Sequence, residues 1–272
     1  MKTSYAAILV AAAIAALSNT KAAMVITYAE LPDAYTTSLG GTEIFDFNTM
    51  ALGRSLNVGW SGVGVFDQIY VKNADMYGGA TDATHLNGTR YSVQGAGTSV
   101  TSSTLSLNTP SSYFGLWWSA GDAKNVLDFY SGETLLAEFT TSNLLSSLPA
   151  DYRGNPRNRS LDSSEPFAFV NFFGDTNTAW DRIVFRNNGS SGFESDNYTT
   201  RAAAWSPSTD GALPGVPVAL VAGTKTTAVT AASLAGTTWS EVPGAPAPPM
   251  VLIGVFGLAA LMRSARSKHS SK

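Results

Sequence analysis

The chain of 272 residues contains no cysteine and two histidines, His85 and His269. The absence of cysteine excludes disulfides, a thiol nucleophile and thiolate metal ligands. Two histidines are too few for a multi-histidine metal site, and a Ser-His-Asp triad would have to use His85. Noncovalent packing alone must therefore hold the fold together.

Charged residues are also scarce. They make up 14% of the chain, below the ~25% of an average globular protein, and the formal net charge is -3. No basic stripe crosses the middle of the sequence, so we expect no nucleic-acid partner. The abundance of uncharged polar residues favours a surface that meets uncharged ligands.

The start of the sequence has the three parts of a secretory signal peptide. A positive charge next to the first methionine precedes an apolar run over residues 5–17 and then small residues up to Ala23. The run is too short to span a bilayer, which requires about 20 residues. Cleavage after Ala22 places Thr20 and Ala22 at the small-residue positions, whereas cleavage one residue later would place a lysine there. We therefore predict a signal peptide over residues 1–22, read by the Sec machinery and signal peptidase. The alternative is a buried Ala-rich helix.

The other end also has three parts: a proline-rich stretch, an apolar run over residues 250–262 and a basic end over residues 263–272. Proline is excluded from a helix interior, so a helix would begin after the prolines. Its length of about 20 Å falls short of the ~30 Å hydrocarbon core, and the basic end would stay cytoplasmic. We predict transient anchoring in the inner membrane. The residues that define this tail are Val242, Pro243, Pro246, Arg263 and Arg266.

This tail, over residues 242–272, resembles the PEP-CTERM sorting signal, which exosortase recognises in Gram-negative bacteria. Most members carry Val-Pro-Glu-Pro, whereas residues 242–246 here read Val-Pro-Gly-Ala-Pro and lack the glutamate. The resemblance implies exosortase as a partner and a final location at the cell surface or outside the cell. The alternative is an uncleaved C-terminal membrane anchor.

Between the two ends, short runs of alternating apolar and polar residues are separated by turn residues. The clearest runs lie at 42–47, 113–118, 126–130, 135–139, 167–173 and 183–185. This period of two is typical of antiparallel strands, and Ser131–Glu133 is short enough for a hairpin turn. Residues 141–148 favour one helical turn. We predict an all-β domain over residues 24–203, an antiparallel β-sandwich or jelly roll.

The composition changes after the predicted domain. Residues 204–241 consist mainly of Ala, Ser, Thr, Gly, Val and Pro, so we predict a linker that holds the domain away from the membrane. The alternative is that residues 216–221 add one strand.

Three segments of the predicted domain resemble the Npun-type exosortase-dependent surface-protein family. They are Tyr113–Gly132, Phe167–Phe173 and, after the Trp180–Arg186 strand, Gly192–Asn197. The resemblance spans roughly residues 42–200. It implies surface location and a β-sandwich, and it brings no catalytic residue.

Two adjacent tryptophans are candidates for ligand contact. Neighbouring residues of a strand point to opposite faces, so one of Trp117 and Trp118 is expected in the core. We predict that Trp118 is exposed and stacks on a sugar ring. The alternative is that Trp118 packs under a loop.

The predicted loops carry carboxylates and amides that suit sugar hydroxyls or calcium. Asp122 and Asn125 follow one strand, and Asp175 and Asn177 follow another. Oxygen ligands of this kind hold calcium in proteins, and Asp175 and Asp196 are the candidate metal ligands. The alternative is that these residues form turns, for which Asp and Asn are the usual residues. We expect no other cofactor.

Enzymatic chemistry has less support. A glycoside hydrolase requires two carboxylates, one of them with a raised pKa, and no spacing singles out a pair among Asp128, Glu138, Asp175 and Glu194. We expect Glu194 instead to pair with Arg182 or Arg186.

The leading hypothesis is a non-enzymatic cell-surface or biofilm-matrix protein that associates with exopolysaccharide. A glycan-acting hydrolase and a calcium-stabilised adhesive module are the alternatives.

Overall fold

The computed structural model describes residues 24–81 and 88–230. The predicted signal peptide with its cleavage position Ala22, and the sorting tail over residues 242–272, lie outside these residues. Over the described range, fourteen strands belong to one antiparallel sheet. The strands are β1 (Met24–Tyr28), β2 (Glu43–Phe45), β3 (Gly53–Trp60), β4 (Gly64–Lys72), β5 (Tyr91–Gly95), β6 (Ser102–Ser111), β7 (Tyr113–Ser119), β8 (Asn125–Ser131), β9 (Thr134–Thr140), β10 (Ala168–Gly174), β11 (Trp180–Asn187), β12 (Gly192–Arg201), β13 (Val216–Ala222) and β14 (Lys225–Ala228).

The sheet follows the order β14-β13-β1-β10-β7-β12-β5-β4-β6-β11-β8-β9, with β2 paired to β12 and β3 paired to β4. Its two ends meet beside Gly223, which follows β13. The Gly223 N–H donates to the Leu136 carbonyl at 2.5 Å, and the Glu138 N–H donates to the Gly223 carbonyl at 2.8 Å. The sheet is thus nearly closed into a barrel. The all-β prediction is confirmed, but the described strands form one hydrogen-bonded sheet and not the two sheets of a sandwich.

Local turn chemistry matches the sequence. β8 and β9 pair in antiparallel register across the predicted Ser131–Glu133 hairpin, and Gly132 adopts φ 54° in the turn, a value that favours glycine. The predicted helical turn is α1 (Ser142–Leu145), with Leu144 buried. A 3-10 turn, Ala150–Tyr152, follows it.

The second short helix is α2 (Pro207–Asp210). Across residues 24–81 and 88–230, no helix has the length and apolar character needed to cross a membrane.

The segment predicted as a linker instead contributes structure to the sheet. Residues 204–230 contain α2, β13 and β14, so the alternative of an added strand describes them correctly and the linker prediction does not. β13 pairs along the whole of β1 and buries Val218, Ala219 and Val221. The run is rich in valine, which favours strands, but Pro217 and the Ala-, Ser-, Thr- and Gly-rich flanks obscure this signal in the sequence. Pairing with the fully buried β1 supplies the packing that stabilises the strand.

Aromatic rings fill the inner face of the sheet. Phe185 stacks on Tyr198 at 4.8 Å between ring centroids, and Phe129 lies 5.1 Å from Phe172. Phe114 contacts both groups, at 5.8 Å from Phe185. Each of these rings is almost fully buried, and such burial contributes about 1.5–3 kcal/mol per side chain. This cluster is the main core.

The outer face of β10, β7, β12 and β5 is also buried, because loops cover it. We name these loops the outer layer: residues 29–42, 73–81 and 146–167. The Tyr152 hydroxyl donates to the Ala29 carbonyl at 2.8 Å, and Asn155 donates to the Met76 carbonyl at 2.9 Å. These hydrogen bonds join the three loops to one another. The outer face therefore has its own apolar clusters, built on residues such as Trp117 and Phe169.

Candidate functional site

Both adjacent tryptophans are completely buried. Trp118 lies in the main core, where its Nε1–H donates to the Asn125 side-chain oxygen at 2.7 Å. Trp117 lies on the outer face beneath Tyr35, at 4.7 Å between ring centroids. The prediction that Trp118 is exposed and stacks on a sugar is therefore wrong. Strand alternation does place the two rings on opposite faces. The inner face is the main core, however, and loops cover the outer face, so neither ring is exposed.

Asn125 and Asp122 hold the end of β7 to neighbouring strands. Asn125 is buried, and its amide nitrogen donates to the Gly192 carbonyl at 2.8 Å, so it is not available to a ligand. Asp122 is partly exposed; it accepts the Lys124 N–H at 2.5 Å and the Ser191 hydroxyl. Of these two residues, only Asp122 is exposed to solvent, and it is exposed in part.

Asp175 and Asn177 form a turn after β10. The Asp175 carboxylate accepts the Asn177 N–H at 2.9 Å and the Thr178 hydroxyl at 2.6 Å. The turn interpretation thus accounts for both residues. Because β10 and β7 are antiparallel, Asp175 lies at the opposite end of the sheet from Asp122, roughly 20 Å away for strands of this length. The four predicted loop residues do not form one site.

Asp196, a candidate metal ligand, is fully buried. One carboxylate oxygen accepts the Thr89 hydroxyl and the Ala80 N–H at 3.4 Å, and the other accepts the Asn197 N–H at 2.7 Å. Burial raises the pKa of Asp196 to about 7. Asp196 ties the outer layer to β12, and its carboxylate is fully buried and engaged by these three donors.

No set of three or more His, Asp or Glu residues lies close enough to hold a metal within the part of the chain that the structure describes. The two candidate metal ligands have separate structural roles: Asp175 forms a turn, and Asp196 anchors a loop.

The predicted pairing of Glu194 with Arg182 or Arg186 is wrong. Arg186 binds Asp128 at 2.7 Å and Glu138 at 2.8 Å. Arg182 lies over the Tyr130 ring at 4.4 Å. Neither arginine pairs with Glu194, because β11 is not a neighbour of β12 in the sheet.

Glu194 lies on the outer face of β12, directly opposite Ser119 of β7 and Val93 of β5. It is 5% exposed. Burial raises the pKa of Glu194 to about 8; the charge of Lys72 lowers it, and the charges of Asp122 and Glu165 raise it. The raised pKa favours the protonated form of the Glu194 carboxyl near neutral pH, and a protonated carboxyl can donate as well as accept a hydrogen bond.

We name the Glu194 cluster as Glu194, Ser119 and Trp117, with Asp122, Glu165 and Lys72 around them. Ser119 is 1% exposed, and within the described residues its hydroxyl has no hydrogen-bond partner. Opposite residues of antiparallel strands have Cβ atoms ~5 Å apart, so the Ser119 and Glu194 side chains are neighbours. A buried carboxyl with a strongly perturbed pKa is a feature of functional sites.

A second hydrogen-bonded group adjoins the cluster. The Tyr91 hydroxyl lies 3.0 Å from both carboxylate oxygens of Asp75. The pKa of Tyr91 is raised above its ordinary value by burial and by the charges of Asp75 and Glu194. This pair links the loop at 73–81 to β5 beside Glu194.

The sequence analysis did not identify Ser119, Glu165, Lys72 or Tyr91. One signal was present in β12, where two carboxylates at Glu194 and Asp196 alternate with residues that point to the core. Carboxylates two apart on a strand share a face, so this spacing indicates a polar outer face.

Comparisons with known proteins identify no family. No protein-family model and no curated protein matches the chain. Among solved structures, the chain is similar to the catalytic domain of a GH87 alpha-1,3-glucanase variant in complex with tetrasaccharides, with 12% identity and a TM-score of 0.33. The match covers 66% of this chain and 29% of that structure. A TM-score of this size does not establish a common fold.

Proposed function

We propose that the chain is a non-enzymatic protein of a Gram-negative bacterium, exported and sorted by exosortase to the cell surface or matrix, where its β domain associates with exopolysaccharide. The observation that carries the proposal is the order of its segments: residues 1–22 have the pattern of a signal peptide, and residues 242–272 have that of a sorting tail. Between them lies an all-β domain without cysteine.

The low charge of the chain supports the glycan part of the proposal. Charged residues make up 14% of the sequence, and the uncharged polar residues that take their place bind sugar hydroxyls without the desolvation cost of an ion.

Intact-mass measurement of the secreted protein tests the sorting part. We expect a mature chain that begins at Ala23 and lacks the tail after about residue 242. In cells without exosortase, the mass should include the whole tail, and the protein should fractionate with the inner membrane. A cytosolic product that keeps both Met1 and Lys272 would overturn the proposal.

Pull-down on the producer's own exopolysaccharide tests the glycan part. We expect retention of the purified secreted protein on immobilised polysaccharide and none on the bare matrix. Equal recovery from both would remove association with polysaccharide and would leave export and sorting in place.

A second candidate is a glycan-acting hydrolase. The raised pKa of Glu194, near the carboxylate of Asp122, favours it, because a general acid must hold its proton near neutral pH. Reducing-sugar release from a polysaccharide panel distinguishes the two candidates. Release that Glu194→Gln abolishes and Asn177→Ala leaves intact would establish the hydrolase; no release from any polysaccharide would exclude it for the panel.

A further inference from the structure

One strand of the sheet has an unpaired edge. β3 pairs with β4 along one side, and within the described residues no other strand pairs with it. The Trp60 carbonyl accepts the Val63 N–H in the hairpin turn; apart from that bond, the β3 backbone makes no hydrogen bond outside the β3–β4 ladder in the described ranges. The second side of β3 therefore presents a row of unpaired backbone donors and acceptors.

The exposure of β3 differs from that of the strands inside the sheet. Trp60 is the one buried residue of β3, and the other seven residues are exposed or partly exposed. By contrast, β7 and β10 are buried along their whole length. Leu56, in the middle of β3, is 58% exposed. The strand is therefore accessible to a partner over most of its length.

Exposed apolar side chains accompany this edge. Leu52 directly precedes β3, Leu56 lies within it, and Val65 lies opposite Gly59 on β4. The three side chains are 51%, 58% and 43% exposed. A single exposed apolar residue is ordinary, whereas a group of them marks a contact surface. A fitting partner supplies both backbone groups and apolar side chains, which a polysaccharide lacks.

The charges that normally protect a sheet edge are scarce here. Natural edges carry charged residues, above all lysine, that oppose pairing with a second strand. β3 carries one charged residue, Arg54. Its Nε and one terminal nitrogen both donate to the Gln68 side-chain oxygen of β4, at 3.0 and 2.7 Å, so β4 holds this guanidinium. The remaining obstacle is Asn57, whose φ of 51° interrupts the β3–β4 register and bends the edge.

A second copy of this chain fits the edge. An antiparallel pair of identical strands has two-fold symmetry, so it closes as a dimer. With the axis at Leu56, the two Leu56 side chains oppose each other, and Arg54 lies opposite Val58. The two Arg54 residues are then about 13 Å apart along the strands. Like charges therefore do not face each other, and the net charge of -3 per copy gives little repulsion between the copies.

The size of the contact determines its strength. Eight residues at ~3.4 Å each give a ladder of about 27 Å, and an interface of one strand pair belongs to the small, transient class. Its population follows mass action. We therefore expect a dimer that dissociates on dilution.

We propose that β3 is a self-association edge, through which two copies of the chain pair in antiparallel orientation and join their sheets. The inference goes beyond export, sorting and association with exopolysaccharide, and it depends on none of them.

Sedimentation equilibrium of the purified secreted protein over a concentration series tests the pairing. We expect a monomer at low concentration and a dimer at high concentration. Leu56→Lys should raise the dissociation constant of the dimer about tenfold, because like charges directly opposite each other destabilise a strand pair. Leu31→Lys, at an outer-layer side chain that is 68% exposed, is the matched control and should dimerise as the unaltered protein does.

Single cysteines give a second readout, because the chain itself contains no cysteine. Under mild oxidation, Leu56→Cys should form a disulfide-linked dimer, since the two-fold axis brings its two copies within bonding distance. Leu31→Cys is the control for random collision and should cross-link about tenfold more slowly. Equal cross-linking rates at the two positions would overturn the proposal, even if Leu56→Lys fails to fold.

The remaining outcomes separate this proposal from the proposed function. A protein that stays monomeric at every concentration overturns self-association and leaves export and sorting in place. A dimer that Leu56→Lys leaves intact overturns the assignment to β3. Retention on exopolysaccharide that Leu56→Lys abolishes and Leu31→Lys preserves, in a protein that stays monomeric, would assign the edge to a glycan instead.

Discussion

The two faces of the sheet are built from the same strands but are held by different forces. On β10, Phe172 points into the main core and Asn171 points to the outer layer; on β12, Phe193 points inward and Glu194 outward. The inner face is packed with aromatic rings. The outer face combines apolar clusters with buried polar groups. Strand alternation decides which face of the sheet a side chain lies on, whereas burial of that face depends on the elements that cover it.

The polar side of β10 belongs to a hydrogen-bonded chain across the outer face. The Tyr113 hydroxyl donates to Asn171 at 2.8 Å, Asn171 donates to the Thr27 hydroxyl at 3.0 Å, and Thr27 donates to the Pro214 carbonyl at 2.7 Å. This chain joins β7, β10 and β1 to the segment before β13. Each member is satisfied, so the network rigidifies the outer face.

Truncation on the inner face should have the largest effect. Phe172→Ala removes a ring that lies 5.1 Å from both Phe129 and Phe139, and a cavity of this kind costs about 3–5 kcal/mol. Urea denaturation followed by tryptophan fluorescence measures the loss. Leu56→Ala, at a side chain that is 58% exposed, is the control and should change stability by less than about 0.5 kcal/mol.

The outer face should make stability depend on pH. The folded pKa values of Glu194, about 8, and Asp196, about 7, lie above the unfolded values of ~4.3 and ~3.9. The folded state therefore binds more protons between these limits, and its stability is greatest on the acid side and falls as pH rises through the folded values. We expect the free energy of unfolding to fall by several kcal/mol between about pH 5 and pH 9.

Glu194→Gln should flatten part of that pH slope, because the amide does not titrate. Glu133→Gln serves as the control, since the Glu133 side chain is 95% exposed and its loss should leave the slope unchanged. Chemical denaturation at each pH provides the measurement. A slope that is the same in Glu194→Gln as in the unaltered protein would mean that Glu194 is ionised in the folded state throughout this range.

The smallest loss of stability is expected at Asn171, which precedes Phe172 on β10 in the opposite orientation and lies on the outer face. Asn171→Ala leaves the Tyr113 hydroxyl without its acceptor, which costs about 1–3 kcal/mol for a buried group. Thr27 keeps its bond to the Pro214 carbonyl, which limits the loss. Urea denaturation of Asn171→Ala beside Phe172→Ala compares the two faces directly, with Asn177→Ala as an exposed amide control. A loss at Asn171 as large as that at Phe172 would break the distinction between the faces.

The secondary structure was predictable because its signals are local. The alternation over 113–118 and 167–173 indicates β7 and β10, and the Ser131–Glu133 turn marks the hairpin between β8 and β9. The sequence favoured a linker over the strand β13, because the flanks of this Val-rich run consist of Ala, Ser, Thr, Gly and Pro and its burial depends on pairing with β1.

The candidate site was harder to predict, because its residues come together through contacts between distant parts of the sequence. Trp118 and Asn125 bind each other inside the core, although their positions in the sequence suggested a strand and an exposed loop. Glu194 and Ser119 are 75 positions apart and become neighbours through the pairing of β7 and β12. Such long-range pairings have no local pattern.

By itself, the sequence determined the all-β class, the alternation of faces along the main strands, and the absence of disulfides, because strand periodicity, turn residues and residue type are properties of short segments. The tertiary structure alone decided that one sheet curves nearly into a barrel, that loops bury its outer face, and that a carboxyl, a hydroxyl and an indole meet there. Those outcomes depend on which distant strands share hydrogen bonds, and the free energy of that choice is spread over the whole fold.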